Sequence, residues 1–258
     1  MNQVRSEVAK IARLGVVLRV YVYEIDGLLI DTGPHSALNQ LKPFFNRINV
    51  DQIALTHIHE DHSGNAHWFW KKKHLPIYVH ESSVEYAKKN GKYPFYRRLY
   101  WGPRKSFEAK PIPNVIETEN YKFKVIETPG HSEDSVSLYE ESNGWLFTGD
   151  LYITQKPKLF LKEESIIKTI QSLEKLLELD INTLYCSHTG KITNGKQKLQ
   201  GKLNYLLKLQ DDVLALEKKG LSNKQIEKEL FPSSSPLIYI SRNEFSYSHA
   251  IESIIKNE

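Results

Sequence analysis

The 258-residue chain reads as a layered α/β domain carrying a helical tail. Short apolar or alternating runs fill its first three quarters, helix-like stretches lie between them, and beyond about Lys191 the pattern turns wholly helical. A chain of this length buries roughly three quarters of its unfolded surface, so neither disulfides nor a structural metal are needed for folding.

Val16 to Ile25 and Leu28 to Ile30 open the series as strands, since both are rich in β-branched and aromatic residues. Ser36 to Asn46 follows as a helix, Ile53 to Leu55 as a strand, Ser63 to Lys73 as a helix, Ile77 to Val79 as a strand and Glu81 to Asn90 as a helix. Tyr121 to Ile126, Ser135 to Tyr139, Trp145 to Phe147 and Thr183 to Cys186 are further strands. Between the last two, Glu163 to Leu179 places Ile166, Ile167, Ile170, Leu173, Leu176 and Leu177 at helical spacing, so one face is buried.

In the tail, Leu199, Leu203, Leu206, Leu207, Val213, Leu214 and Leu216 repeat with a helical period that Gly220 ends. Ser222-Asn223-Lys224-Gln225 fits a capping box opening a second helix through Leu230, which Phe231-Pro232 terminates. A third helix is expected over Tyr247 to Lys256. The expected organisation is a metal-binding domain over 1–190 and a helical extension over 191–258, the latter too small to count as an independent domain.

Composition narrows the class. With 40% apolar and 26% charged residues and a formal net charge of +4, the chain is globular, neither disordered nor strongly polycationic. A single cysteine, Cys186, forms no internal disulfide and fits a reducing compartment. The first apolar run, Gly15 to Leu18, is interrupted by Arg19 and is far short of a membrane span. A cytoplasmic protein without membrane association is expected.

The strongest chemical signal is Leu55-Thr56-His57-Ile58-His59-Glu60-Asp61-His62-Ser63-Gly64-Asn65. Residues two apart at a strand end point the same way, so His57 and His59 can bind one cation together. Asp61 and His62 lie in the turn into the next helix, where a change of backbone direction can aim them at a second cation. Imidazole and carboxylate without thiolate suit Zn(II), Mn(II) or Fe(II). Four donors cannot complete two shells, and three more stand at strand ends: His131 after Thr128-Pro129-Gly130, Asp150 after Thr148-Gly149, and His188 after Cys186-Ser187. Carboxyl ends of strands are where open sheets gather their sites.

On these residues the stretch from about 15 to 190 resembles the metallo-β-lactamase superfamily, in particular its two-metal hydrolases of glyoxalase II-like and lactonase-like type. The resemblance implies an αββα sandwich with two divalent cations at its edge, zinc in the first place, with manganese or iron as alternatives. It implies one metal on His57, His59 and His131, a second on Asp61, His62 and His188, and Asp150 bridging both. Leu28-Leu29-Ile30-Asp31-Thr32-Gly33 looks like the superfamily's early strand and turn, in which the Asp is structural. Water held between two cations loses a proton near neutral pH, which supplies a hydroxide nucleophile without a serine. Asp61 is expected to relay a proton to the leaving group, with a ligand-only role as the alternative. The resemblance also implies that dedicated β-lactamases usually lack a carboxylate at the place of Asp150, and no export signal is expected, so an antibiotic-degrading β-lactamase is not the expected class.

Other residues carry weaker signals. His35, His67, His74, His80 and His249 read as surface or hydrogen-bonded core residues, and Cys186 as a small buried hydrophobe. Tyr152 is placed to reach an oxyanion or simply to pack; in lactone-hydrolysing relatives a tyrosine sits three places after the bridging Asp, where this chain has Ile153. Residues 71–110 hold eleven Lys and Arg against Glu81, Glu85 and Glu108. Within them Lys92 to Lys105 mixes aromatic rings and cations with loop-forming Pro and Gly, and Tyr96, Arg97 and Arg98 are the expected substrate contacts of a lid attracting an anionic small molecule. A solvated basic face is the alternative. The tail has a weak helix-turn-helix look, but packing against the domain and walling its pocket is preferred. The expected reaction is hydrolysis of an ester, thioester or lactone of anionic character, and the alternative is phosphodiester cleavage on RNA or a nucleotide.

Overall fold

The computed structural model describes residues 3–13, 15–233 and 235–256, so the outermost residues of both expected spans, 1–2 and 257–258, lie outside it. One sheet runs β1 (Arg5–Arg13), β2 (Val16–Ile25), β3 (Leu28–Ile30), β4 (Gln52–Ala54), β5 (Ile77–Val79) and β6 (Lys110–Pro111) in spatial order. Its first three strands are antiparallel and its last four parallel. The second sheet contains β7 (Val115–Glu117), β8 (Lys122–Glu127), β9 (Val136–Glu140), β10 (Trp145–Gly149), β12 (Thr183–Cys186) and β13 (Gly190–Thr193), with β12 parallel to β10 between it and β13. A small ribbon pairs β11 (Phe160–Leu161) with β14 (Phe245–Ser246).

Strand alternation sorts the side chains into three apolar layers. Leu28 and Ile30 face Phe123, Leu138 and Phe147 of the other sheet, whereas Leu29 between them points outward. Outside the first sheet lie α1 (Leu38–Arg47), α2 (Glu60–Ser63), α3 (Ala66–Lys73), α4 (Val84–Ala87) and α5 (Phe95–Trp101), with Phe45 of α1 and Phe69 of α3 in the outer core. Outside the second lie α6 (Ile166–Leu177), α7 (Gly195–Lys218), α8 (Asn223–Leu230), the short α9 (Pro236–Ile240) and α10 (Ser248–Ile255). Leu146 and Leu184 of that sheet share one hydrophobic cluster with Leu173, Leu206, Ile226 and Ile251. The architecture is the αββα sandwich with a helical C-terminal region, and the tail's leucines are part of the sandwich's own core.

Several elements differ from the sequence reading. β1 pairs with β2 from Arg5–Glu24 to Arg13–Val16, yet it had no strand signal because only Ala9 and Ile11 of it are buried. The strand pattern continues past Lys191, since Gly190–Thr193 forms β13 along the edge of β12, and the 190/191 division cuts through it. Residues 71–110 are not one insertion, because they include the end of α3 and all of β5; the excursion lies between β5 and β6. Within it Phe95–Trp101, read as loop, is the helix α5. In the tail Ser222 and Gln225 do form the capping box, with the Ser222 N–H donating to Gln225 Oε1 at 2.9 Å.

Leu173 is fully buried where α6 meets the helices of the tail. Leu173→Ala is expected to lower unfolding stability by about 2–5 kcal/mol, read from denaturant midpoints at an unchanged denaturant slope.

Candidate metal centre

The expected donors gather on one edge of the sandwich, most of them past a strand end, with Asp61 and His62 on the short helix α2 that follows β4. His57 follows β4, His131 follows β8, Asp150 follows β10 and His188 follows β12. Gly149, at φ 51°, makes the turn into Asp150 possible, since a Cβ there would lie 2.7 Å from Thr56 Oγ1. The segment from His57 to Asn65 is pinned to the turn after β3. Thr32 donates through both its N–H and its hydroxyl to the His62 carbonyl, and the Asn65 amide donates to the carbonyls of Thr32, Gly33 and Pro34.

The seven side chains converge as two sets. Donor atoms of His57, His59 and His131 lie within 4.8 Å of one another, and so do those of Asp61, His62, Asp150 and His188. His59 Nδ1 is 3.0 Å from His57 Nε2 and 3.2 Å from His131 Nε2. Zn–N bonds of roughly 2.0–2.1 Å in a tetrahedral shell put neighbouring donors roughly 3.3 Å apart, so this spacing fits a cation among them. Asp150 borders both sets, its Oδ2 lying 3.0 Å from His188 Nε2 and 3.6 Å from His131 Nε2. Its Oδ1 faces His62 Nε2 at 3.4 Å, and both atoms are buried with no hydrogen-bond partner among the described residues. Such orphaned buried atoms are costly; a divalent cation would satisfy both, and the donor set suits one.

Every imidazole is aimed by its other nitrogen. His57 Nδ1 meets Thr56 Oγ1 at 3.2 Å, His59 Nε2 meets Glu163 Oε1 at 2.8 Å and His62 Nδ1 meets Asp31 Oδ2 at 2.8 Å. His131 Nδ1 meets Glu164 Oε1 at 2.7 Å, and His188 Nδ1 meets the Arg19 carbonyl at 2.7 Å. An acceptor on the outer nitrogen sets the tautomer, leaving the inner one as a lone-pair donor. Burial, with His62, His59 and His131 nearby, holds the His57 pKa well below the ordinary imidazole range. At His62 and His188 burial acts in the same sense, but the facing carboxylates of Asp150 and Asp61 prevail and raise both. Against its own burial, Asp150 is held well down by His188 and His62. The hydrogen bond from His59 pulls Glu163 to about 2.

Glu163 and Glu164 had no distinguishing signal in the sequence, where they read as acids opening a helix. Arg97 was expected to touch substrate, and the structure gives it other work. Its guanidinium grips Glu60 of α2 at 2.6 and 2.8 Å and reaches Glu244 of the C-terminal segment at 3.0 Å, which leaves it 9% exposed. Arg98 is exposed on α5, and Tyr96, half-buried, faces the C-terminal segment beside Ile240 and Asn243. None of the three joins the donor sets. Tyr152 is 5% exposed and packs in the core on the tail side, so it takes the packing role and not the oxyanion one. Trp101, at the end of α5, brings its ring centroid within 6.4 Å of His188.

Two hollows adjoin the site. A groove of about 840 Å³ runs past His59 between the excursion and the α6 side, lined by Lys92, Tyr93, Arg97 and Lys162 among others. A smaller cavity of about 140 Å³ opens beside His131 and Asp150 toward α7. No helix among the described residues is long and apolar enough to cross a membrane.

Comparison with known proteins agrees with this architecture. The family model described as the Metallo-beta-lactamase superfamily matches residues 16–188. The probable metallo-hydrolase YybB of Bacillus subtilis is 29% identical over 198 residues, covering 72% of this chain and 84% of its own. A hydroxyacylglutathione hydrolase of Hahella chejuensis is 29% identical over 157 residues, 58% of this chain and 52% of that enzyme, so the match spans about half of its length. Among solved structures, a metallo-beta-lactamase family protein of Thermus thermophilus superposes with a TM-score of 0.69 at 18% identity, covering 98% of this chain and 93% of its own.

Two substitutions test the supports around the donors. Asp31→Asn removes the carboxylate behind His62 and is expected to weaken metal binding about 10- to 100-fold in competition with a chelator. Arg97→Met strands Glu60 as a buried charge, and the expected loss is about 3–5 kcal/mol of unfolding stability.

Proposed function

Because the chain belongs to the metallo-beta-lactamase superfamily, we propose that its seven converging side chains hold two divalent cations and that it hydrolyses a small ester, thioester or lactone of anionic character. The observation that carries this reading is Asp150, whose carboxylate borders both donor sets and whose Oδ1 is buried without a hydrogen-bond partner. His57, His59 and His131 would hold one cation, and Asp61, His62 and His188 the other, with Asp150 between. Divalent cations bound there would supply a water ionised near neutral pH and an electrophile for the attacked carbonyl. The chain's own contribution is position: the donors gather past strand ends, and their outer partners orient the imidazoles. Asp61, whose Oδ2 lies 3.4 Å from His188 Nε2, is the group placed to carry a proton to the departing group.

A carboxyl derivative is preferred over a phosphodiester for two reasons. A relative that is itself a hydroxyacylglutathione hydrolase supports acyl chemistry. The basic excursion would suit either substrate, but with Arg97 held by Glu60 and Glu244 less of it is left to track a polyanionic strand. The groove beside His59 keeps Lys92 and Lys162 as cations that favour an anionic substrate portion.

Protein loaded with zinc, manganese or ferrous iron is expected to hold about two ions per chain by elemental analysis, and a chelator is expected to abolish thioester or lactone turnover. Asp150→Ala removes a shared donor, so it is expected to lower metal content and to depress turnover by more than the about 100-fold seen for outer-partner losses. Full loading and undiminished turnover in that variant would refute the reading.

A further inference from the structure

Lys202, on the inner face of α7, is 7% exposed. Its ammonium donates to the Leu151 carbonyl and forms no ion pair among the described residues. An ammonium has three donors and this one spends one of them on protein. A buried, unpaired charge is unfavourable, and burial pushes the Lys202 pKa down. The wall around it is mixed: Phe160, Ile166 and Leu206 are apolar, while Asp150 and Glu164 are the acids, and neither forms an ion pair with Lys202 among the described residues.

Lys202, and the Leu151 whose carbonyl holds its ammonium, both line the cavity of about 140 Å³ that opens beside His131 and Asp150. The acid nearest in kind, Glu164, lines the same cavity, but its carboxylate accepts from His131 at 2.7 Å and from the Leu161 N–H at 3.2 Å. Lys158 stands exposed at the rim, and Lys202 has two donors beyond the one spent on Leu151, so both can meet an incoming anion. The volume is close to that of an apolar protein cavity of about 150 Å³ that accepts benzene, which limits an occupant to about six heavy atoms.

We propose that Lys202 is a specificity-determining residue and that the cavity receives a short acyl group ending in a carboxylate, which pairs with the Lys202 ammonium. The assignment deepens the hydrolase reading above and rests on it for the reaction. The substrate is then a half-ester or half-thioester of a short dicarboxylic acid. Hydrolysis breaks the acyl–oxygen or acyl–sulfur bond; water gives its hydroxyl to the acyl carbon and its proton to the leaving group. One carboxylate of the product was the reacting carbonyl, and the other is the one held by Lys202.

The test compares succinyl and butyryl thioesters of N-acetylcysteamine, which differ by the terminal carboxylate, on the zinc-loaded enzyme. Hydrogen bonds to a charged group are worth enough that succinyl is expected to be preferred by about ten-fold or more in kcat/KM. Lys202→Met is expected to remove that preference mainly through KM, and Lys202→Arg to restore part of it. Ile153→Glu, on the exposed rim, brings a repelling charge without disturbing the core and is expected to reduce the preference too. Calorimetric titration of the same proteins with succinate and with butyrate reads the pocket without turnover, and tighter succinate binding that Lys202→Met erases is the expected result. Equal affinities and equal turnover in the unmodified enzyme, or a preference that Lys202→Met leaves intact, overturn the proposal. Lys202-dependent succinate binding with neither thioester hydrolysed would instead sink the hydrolase reading and leave the pocket standing.

Discussion

One carboxylate ties together the strand ends that carry the donors. Asp31, just past β3 and 1% exposed, accepts from the Thr56 N–H at 2.8 Å and from the Thr56 hydroxyl, meets His62 Nδ1 at 2.8 Å and accepts from the Ser187 hydroxyl at 3.2 Å. Thr56 stands immediately before His57 and Ser187 immediately before His188, and the two come from different sheets. A carboxylate this buried is tolerated only when its lone pairs are filled, so the packing of the sandwich and the placement of the donors are one condition. Asp31 itself adopts φ 59°, a left-handed conformation that a non-glycine residue holds only when its surroundings dictate it.

The same logic repeats outward. Asp134 accepts from the Ile58 N–H at 2.9 Å and from the hydroxyls of Ser83 and Ser132, which fixes the backbone between His57 and His59. Glu60, inside the donor motif, is held by Arg97, and Arg97 in turn by Glu244 far along the chain. These groups act through short, direct, mostly buried bonds, several of them charge-assisted. The result is a rigid rim around two donor sets that would otherwise repel or collapse.

How much of this could be read in advance depends on whether a residue's chemistry is visible without its neighbours. His57, His59, Asp61 and His62 are dense in one segment, and His131, Asp150 and His188 follow apolar runs, so a donor at a strand end was legible for each. The buried strands β2, β4, β10 and β12 declare themselves by composition. Edge strands do not: β1 carries Arg5, Glu7, Lys10 and Arg13, because an edge exposed to water tolerates charge. Glu163 and Glu164 were opaque for another reason. Acids at the start of a helix are ordinary, and only the fold brings them against His59 and His131. Lys202 was hidden in the same way, since a lysine in a leucine-rich helix reads as its solvent face.

Counting charges along residues 71–110 misjudged what the cations do. Arg104 is 2% exposed and donates to the carbonyls of Tyr86 and Lys89 while its guanidinium stacks on the Tyr86 ring, so it is a strut of the excursion. Arg97 is a strut of the donor loop. Two of the arginines are therefore spent on structure, and what remains for an anion is Lys92 and Lys162 along the groove, with Lys158 and Lys202 at the smaller cavity. Of these four, only Lys92 comes from the excursion; the others lie on α7 or in the connection that leads from β10 to α6. The groups able to select a substrate thus stand mostly on helices and loops outside the strand ends that hold the donors. α7 also packs Leu199, Leu203 and Leu206 into the core shared with the second sheet, which anchors its inner face. A substitution on its inner face can change what fits beside Asp150 while every donor stays where β4, β8, β10 and β12 put it.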